Sequence, residues 1–368
     1  MKKLRVALVH DYIKEYGGAE RVLETLHEIY PDAPIYTSVY LPGFLGPHRQ
    51  RFKDFDIHPS ILQNLPFKQK LISPIRLVAP IIFSTMNFSK YDIVIVSSTG
   101  AYNPNMINKG SAIQICYCHT PPRYLYGYAT ARNWKNNKVL NFLGEFANHF
   151  LRIVDFHSSL KVDYFIANSK EVSSRIWKFY KKQATVIYPP VEIPKVQKVK
   201  EKKKYYLAGG RLARAKHIEI AVKAFNKLGR PLKVFGRDFA GYGEYLKKIA
   251  HENIKFLGEI TDEEKFELMR NAKAFIFPSE DEDFGITPVE AMANGTGVIA
   301  YNSGGVKETI VEAKTGVFFD ELNSKSLINA VKRLDKMSIK SSDCIKQANK
   351  FGKDRFKKEI KEFILSHA

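Results

Sequence analysis

The chain has 368 residues, 45% of them hydrophobic and 12% aromatic, which excludes a disordered polymer and exceeds one ordinary core, so two domains are expected. Lys and Arg outnumber Asp and Glu by 58 to 38, a formal net charge of +20. That surplus asks for an anionic partner: nucleic acid, an anionic membrane face or a phosphorylated small molecule.

The N-terminal "MKKLRVALVHDY" has too short an apolar core for a signal peptide and reads as a first strand, Leu4–Val9. A loop with Gly17-Gly18 follows, where backbone can approach a phosphate or an acceptor, and then a helix over Ala19–Tyr30. Between Ile57 and Gly144 the one acid is Asp92, against Lys68, Lys70, Arg76, Lys90, Lys109, Arg123, Arg132, Lys135 and Lys138, so basic surface concentrates here. The run Leu77–Phe83, "LVAPIIF", contains Pro80 and falls far short of the roughly 20 residues of a spanning helix, so no span is expected. The wider "LPFKQKLISPIRLVAPIIF" reads equally as a segment lying on an anionic membrane face, with Leu71, Ile72, Ile75 and Leu77 adding burial, or as a helix packed on a sheet with exposed lysines. Strands follow over Asp92–Ser97, Ala112–Tyr117 and Tyr164–Asn168, with a helix over Ser169–Tyr180. The odd cysteine count (Cys116, Cys118, Cys344) and the lack of zinc spacing point to buried thiols in a reducing cytosol. His119 stands just past a strand, before two prolines, where a histidine can donate to a reacting sugar or phosphate oxygen.

Three prolines and a lysine run from Pro189 to Lys204 divide the chain. The division gives a domain of residues 1–190, a linker 191–204, a domain 205–345, and a C-terminal helix in 346–368 packing back toward the first domain. In the second half strands are expected over Tyr205–Ala208, Leu232–Phe235, Ala274–Pro278 and Gly297–Tyr301, and helices over Ile218–Leu228, Asp262–Asn271 and Ser324–Lys336. Short, almost continuously apolar strands alternating with helices mark buried parallel strands, so each half is a doubly wound α/β sheet. Ligands bind such sheets beyond the carboxyl ends of the strands.

Two stretches stand at such ends. In "LAGGRLARAK" a strand runs into Gly209-Gly210, and Arg211 and Lys216 offer two cations beside the glycine turn, an arrangement suited to a diphosphate. In "EDFGITPVE", Glu282 precedes the turn at Gly285 and Glu290 lies on the following helix. Thr287 as N-cap, Pro288 at the first helical position and Glu290 at the third would make a capping box, the purely structural account of Glu290. The same helix start would also serve as an anion site, with Glu290 reaching a ribose diol and Glu282 accepting bonds from sugar hydroxyls.

These stretches, with "HDY…GGAERV" and "HTPPRYLYGY", resemble in their order the family-4 retaining glycosyltransferases of the GT-B fold. "EDFGITPVEAMA" resembles that family's E-x7-E motif, "GGRLARAK" its diphosphate segment, and the two N-terminal stretches its bacterial mannosyltransferases of surface-polysaccharide assembly. Asp283 stands where many members carry glycine. The resemblance implies two Rossmann-like domains facing each other across a deep cleft. It implies Arg211 and Lys216 at the leaving diphosphate, Gly210 and the Phe284, Gly285, Ile286 and Thr287 backbone on phosphate and sugar, Glu282 on the hexose and Glu290 on the ribose. His119 would lie by the anomeric centre and Gly18, with Gly17, under the phosphate. It further implies a nucleotide-sugar donor, GDP-mannose foremost, no cofactor and no metal, a polyprenyl-linked or other saccharide acceptor, no nucleic acid, and a cytoplasmic place with peripheral contact to the anionic inner membrane face. A UDP-sugar donor and a sugar-nucleotide epimerase are the alternatives within the fold. A basic nucleic-acid-binding protein is the alternative outside it, and gives no reason for the Glu282–Glu290 spacing.

Overall fold

The computed structural model describes residues 4–128, 138–194 and 205–367. They form two compact units, one taking the chain to Pro190 together with residues 354–367, the other taking Val191–Lys353. Most of the linker expected from sequence, and Arg132 and Lys135, lie outside the described residues.

The first unit is built on seven parallel strands: β1 (Val6–His10), β2 (Ile35–Thr37), β3 (Ile57–Pro59), β4 (Ile93–Ser98), β5 (Ile113–Cys118), β6 (Tyr164–Ala167) and β7 (Ala184–Val186). Their order is β3-β2-β1-β4-β5-β6-β7, so the winding reverses between β1 and β4. Helices α1 (Gly18–Ile29), α2 (Ile72–Ile75), α3 (Ala79–Ser84), α4 (Lys138–Leu160) and α5 (Lys170–Tyr180) connect them. The second unit has β8 (Tyr206–Gly209), β9 (Leu232–Phe235), β10 (Ile254–Gly258), β11 (Phe275–Phe277), β12 (Val298–Tyr301) and β13 (Gly316–Phe319), ordered β10-β9-β8-β11-β12-β13. Here the winding reverses between β8 and β11. Its helices are α6 (Ile218–Leu228), α7 (Tyr242–Ile249), α8 (Asp262–Asn271), α9 (Ile286–Ala293), α10 (Val306–Thr309), α11 (Ser324–Asp335) and α12 (Ser341–Ala348). The last helix, α13 (Lys353–Leu365), belongs to the first unit, where Phe356, Ile360 and Ile364 join the core of β1, β4 and β5.

The central strands are buried on both faces, which is why they read as unbroken apolar runs. Leu8, Ile93, Ile95, Ile115 and Tyr117 pack against α1 and α13. On the opposite face Val9, Val94 and Val96 meet Ala79 and Phe83 of α3, while Cys116, Cys118 and Phe165 meet Val172, Ile176 and Tyr180 of α5. All three cysteines are buried free thiols. Helix ends follow local chemistry: Ser169 and Thr261 cap α5 and α8 by accepting the N–H groups of Val172 and Glu264, and α6 stops at left-handed Gly229.

The strands expected from sequence appear as β1, β4, β5, β6, β8, β9, β11 and β12, shifted by at most two residues at any end. Strands β2, β3, β7, β10 and β13 are additional. They are three to five residues long, and without a long apolar run they carry little periodic signal. The segment around α2 and α3 splits its two expected readings. Ile75, Ala79 and Phe83 are buried, Leu71 and Ile72 partly so, while Phe67, Leu77, Val78 and Ile81 are exposed. Among the described residues no helix is long and apolar enough to cross a membrane.

Helix α4, 23 residues long, was not expected, and its sides are reversed. Asn148, Leu151, Asp155, Ser158 and Ser159 are buried, while Phe146, Phe150, Ile153, Phe156 and Leu160 are exposed. Asp155 accepts a 2.7 Å hydrogen bond from the Tyr126 hydroxyl and another from Tyr180. Burial nonetheless pushes its pKa up to about 7, the two tyrosines pulling the other way. Below its ordinary carboxylate pKa both the folded and the unfolded chain hold this proton. As pH rises from about 4 to 7 only the folded chain holds it, so Asp155 withdraws stability across that window. Asp155→Asn is expected to remove this dependence. In urea unfolding, the difference between variant and wild type should move in the variant's favour by up to about 4 kcal/mol between pH 4 and pH 8. A constant difference would show that Asp155 is ionised throughout.

Candidate functional site

In the second unit the loops at the β8/β11 reversal converge. Gly210 donates its N–H to the Phe235 carbonyl (3.2 Å), joining the ends of β8 and β9, and Arg211 follows, exposed, 5.5 Å from the Phe239 ring centroid. Lys216, at the end of a 3-10 turn before α6, forms an ion pair with Glu282 in the loop after β11. Glu282 also accepts from the Ser279 hydroxyl at 2.8 Å. The cation and the acid singled out by the sequence are therefore each other's partners. Beside them His217 bridges Glu219 (3.2 Å) and Glu280 (3.3 Å). Burial opposes its protonation, but the hydrogen bonds and charges of Glu219 and Glu280 prevail and raise its pKa.

The loop carrying Glu282 ends at Gly285, whose φ of +87° starts α9. A β-carbon there would be strained and would come 2.8 Å from Val306 Cγ1. Because Gly285 is the N-cap, the capping box expected at Thr287 is not formed. Ile286 and Thr287 occupy the first two helical positions, Pro288 the third, and Glu290 the fifth, too far along to reach back. No side chain caps this helix, so the N–H groups of Gly285, Ile286 and Thr287 have no hydrogen-bond partner among the described residues. Such a terminus suits an anion. Phe284 turns its ring inward against Phe351, 5.4 Å between centroids, and contributes backbone alone to the loop. Glu290 is 2% exposed and pairs at 2.9 Å with Lys265 of α8, which also holds Asp262 at 2.7 Å.

In the first unit the β1/β4 reversal gathers a second group. His119 follows β5, and its Nε2 lies 2.9 Å from Ser97 Oγ, which lies 3.1 Å from Nδ1 of buried His10. His10 Nε2 faces Glu20 of α1 at 3.7 Å, and Glu20 accepts the Gly17 N–H at 2.9 Å. The Glu20 carboxylate favours the His10 tautomer with its proton on Nε2. Nδ1 then accepts from Ser97, and Ser97 accepts from His119 Nε2–H. This leaves His119 Nδ1 as an acceptor, where the sequence suggested a donor. Burial, with His10 second, pushes the His119 pKa down to about 3, so the ring is neutral near pH 7. The Gly17 amide is likewise occupied, leaving Gly18 as the glycine of the pair whose N–H makes no hydrogen bond among the described residues.

Two family models match this chain: Glycosyltransferase Family 4 over residues 16–194 and Glycosyl transferases group 1 over residues 191–351. Together they take in both units. The chain belongs to the family-4 glycosyltransferases of the GT-B fold. This glycosyltransferase is 26% identical to the alpha-1,3/1,6-mannosyltransferase ALG2 of Dictyostelium discoideum, an alignment covering 92% of this chain and 96% of the relative. Over 80 residues, 22% of each chain, it is 36% identical to the lipopolysaccharide core biosynthesis mannosyltransferase LpcC of Rhizobium leguminosarum bv. viciae. In fold it is similar to Anabaena Alr3699/HepE, solved in complex with UDP, with TM-score 0.72, 18% identity and coverage of 99% and 100% of the two chains. It is also similar to the sucrose-phosphate synthase of Thermosynechococcus elongatus, with TM-score 0.75, 16% identity and 99% of each chain covered. It is thus a hexosyltransferase built on two Rossmann-like sheets.

Sequence reading of this glycosyltransferase missed the residues that hold the named ones in place. Gly305 donates its N–H to the Glu282 carbonyl at 2.7 Å, and a β-carbon on Gly305 would collide with the Asp283 carbonyl. The signal was present: Gly304-Gly305 follow β12 as Gly209-Gly210 end β8. His10 and Ser97 stand at the ends of β1 and β4, the positions where a doubly wound sheet displays its ligand groups. Lys265 gave no signal, because its pairing with Glu290 spans 25 residues and two helices.

Proposed function

We propose that this glycosyltransferase moves mannose from GDP-mannose, with retention of configuration, onto a polyprenyl-diphosphate-linked or similar lipid-linked saccharide in surface-glycan assembly, at the cytoplasmic face of a membrane. What carries the reading is the meeting, at the β8/β11 reversal, of Lys216 in the loop after β8, which also carries Arg211, with Glu282 in the loop that leads into the uncapped start of α9. Departure of a nucleoside diphosphate from an oxocarbenium-like sugar concentrates negative charge on the leaving group, and fixed positive charge there lowers the barrier most. In this reading Lys216 exchanges Glu282 for the diphosphate, freeing the carboxylate to accept hydroxyls of the hexose. Gly210 and the backbone of Phe284, Gly285, Ile286 and Thr287 hold phosphate and sugar, and Glu290 supports the ribose. His119, Gly17 and Gly18 keep the roles the family resemblance gives them, with neutral His119 accepting a hydrogen bond from a sugar hydroxyl at Nδ1. The two cations and the helix N–H groups supply the positive charge, so transfer is proposed to proceed without metal. The choice of mannose is supported by the two relatives, both of them mannosyltransferases.

Thermal unfolding with a panel of GDP- and UDP-sugars tests the donor. A donor at 100 times its dissociation constant adds about 2.7 kcal/mol of stability. GDP-mannose is expected to stabilise most, and to be consumed in the presence of chelator only when a prenyl-diphosphate saccharide is added. Preference for a UDP-sugar would overturn the donor, conversion without acceptor would indicate an epimerase, and loss of turnover in chelator would overturn metal independence.

A further inference from the structure

The reversed helix α4 carries apolar side chains to solvent in a regular stripe. Phe146, Phe150, Ile153, Phe156 and Leu160 recur at steps of three and four residues, with Phe146 62% and Phe150 53% exposed. The stripe runs roughly 21 Å at the rise of an α-helix. Scattered exposed apolar residues need no explanation, but a continuous stripe of large ones marks a surface that something covers. The same face of the sheet carries more. Val96 pairs in register with Cys116 and Cys116 with Phe165, so α3, packed on Val96, and α5, packed on Cys116 and Phe165, lie on one side. The turn Pro104–Met106 lies against both α3 and α4, and α4 lies against α5. Exposed Leu77, Val78 and Ile81 stand just before and on α3, across the Pro104–Met106 turn from α4, and exposed Trp177 stands on α5.

Charge decides the occupant. Residues 57–182 hold sixteen Lys and Arg against five Asp and Glu. Each of those acids is already engaged: Asp92 with Arg5, Glu145 with Arg152, Asp163 with Lys109 and Glu171 with Arg175, while Asp155 is buried. The segment that carries the stripe is net positive, and Lys161, next to the last residue of the stripe, and Lys170 and Lys178 of the adjoining α5 are exposed. Two copies meeting here would bring together bodies each carrying a formal +20.

We propose that this face of the first unit docks on an anionic lipid bilayer, with α4 lying in the plane of the interface. Its phenylalanines enter the boundary between headgroups and acyl chains, and the flanking lysines and arginines meet lipid phosphates. The proposal deepens the reading of a lipid-linked acceptor and rests on it for its purpose; its geometry is independent of the sugar. It makes α4 the principal contact, in place of the stretch Leu65–Phe83 that the sequence offered equally as a membrane-facing segment or a helix packed on the sheet.

Flotation with phosphatidylcholine vesicles, with and without a third of phosphatidylglycerol, tests it, using wild type and the variant Phe146→Ser, Phe150→Ser, Ile153→Ser. Wild type is expected to float with the anionic vesicles and to be released by about 1 M salt. The triple variant should lose binding by at least about tenfold while keeping the wild-type thermal shift with GDP-mannose. Wild type that fails to float, a triple variant that floats as well as wild type, or a wild-type dimer that the substitutions make monomeric would each overturn the proposal. Vesicle binding with no thermal shift from any nucleotide sugar would uphold this surface and overturn the donor reading instead.

Discussion

Lys216→Ala is expected to lower sugar-transfer turnover by about 10²–10³-fold, the scale seen when one preorganised group is removed from a developing negative charge. Nucleoside diphosphate affinity should fall with it. The size of the effect follows from the pairing of Lys216 with Glu282. Removing the ammonium deletes a positive charge and also takes the paired cation from the Glu282 carboxylate, which still accepts from the Ser279 hydroxyl, beside the place proposed for an anion. The fold should survive, because Lys216 is only partly buried and partly exposed ion pairs contribute little, about 1 kcal/mol. Adding Glu282→Gln to Lys216→Ala separates the two terms. The double variant should recover part of the GDP affinity, as the repulsion is gone, and none of the turnover, as the cation is still missing. Arg211→Ala should weaken GDP binding in the same direction. Isothermal titration with GDP and steady-state transfer assays read both quantities. Unchanged GDP affinity in Lys216→Ala and Arg211→Ala together would remove the diphosphate assignment.

How far the sequence reaches can be judged from particular elements. β1, β5, β8 and β11 were legible because strands buried on both faces must be apolar throughout, and the places of Gly18, His119, Arg211 and Glu282 after them were legible with them. Short edge strands such as β3 (Ile57–Pro59) were not, since hydrogen bonds to a neighbour, more than their own side chains, define them. Helix α4 failed for the opposite reason: its apolar side chains are strongly patterned, but they face outward, and Asp155 and Ser158 face in. Periodicity reports that a face is apolar; it does not report what covers that face. The start of α9 turned on one backbone angle. Thr-Pro-x-Glu is a sound capping sequence, yet Gly285 takes a left-handed conformation and starts the helix two residues earlier. Glu290 then points inward instead of back along its own turn, and the interaction that settles its environment comes from α8.

That interaction carries the second large effect. Lys265→Met is expected to destabilise the second unit by about 3–5 kcal/mol, the usual consequence of leaving a buried charge without its partner. Glu290 is 2% exposed and its partner Lys265 8% exposed, so water cannot replace the ammonium at the carboxylate. Asp262 loses the same partner at less cost, since it stands in the first turn of α8, where the helix N-terminus favours a carboxylate. Glu290→Gln should cost less than Lys265→Met, because the lysine left behind still has Asp262 and the amide oxygen can still accept its hydrogen bond. Combining the two substitutions should restore much of the loss, a coupling that a double-mutant cycle in urea measures directly. The same set of proteins separates structure from donor binding. If Glu290 supports a ribose diol, Glu290→Gln weakens GDP-mannose affinity beyond its effect on stability, since a carboxylate holds hydroxyls more strongly than an amide does. Normal donor affinity in Glu290→Gln, with strong coupling to Lys265 in the unfolding cycle, would instead make the second acid of the motif a pin between α8 and α9, and would leave Glu282 as the one acid of the pair that meets the sugar donor.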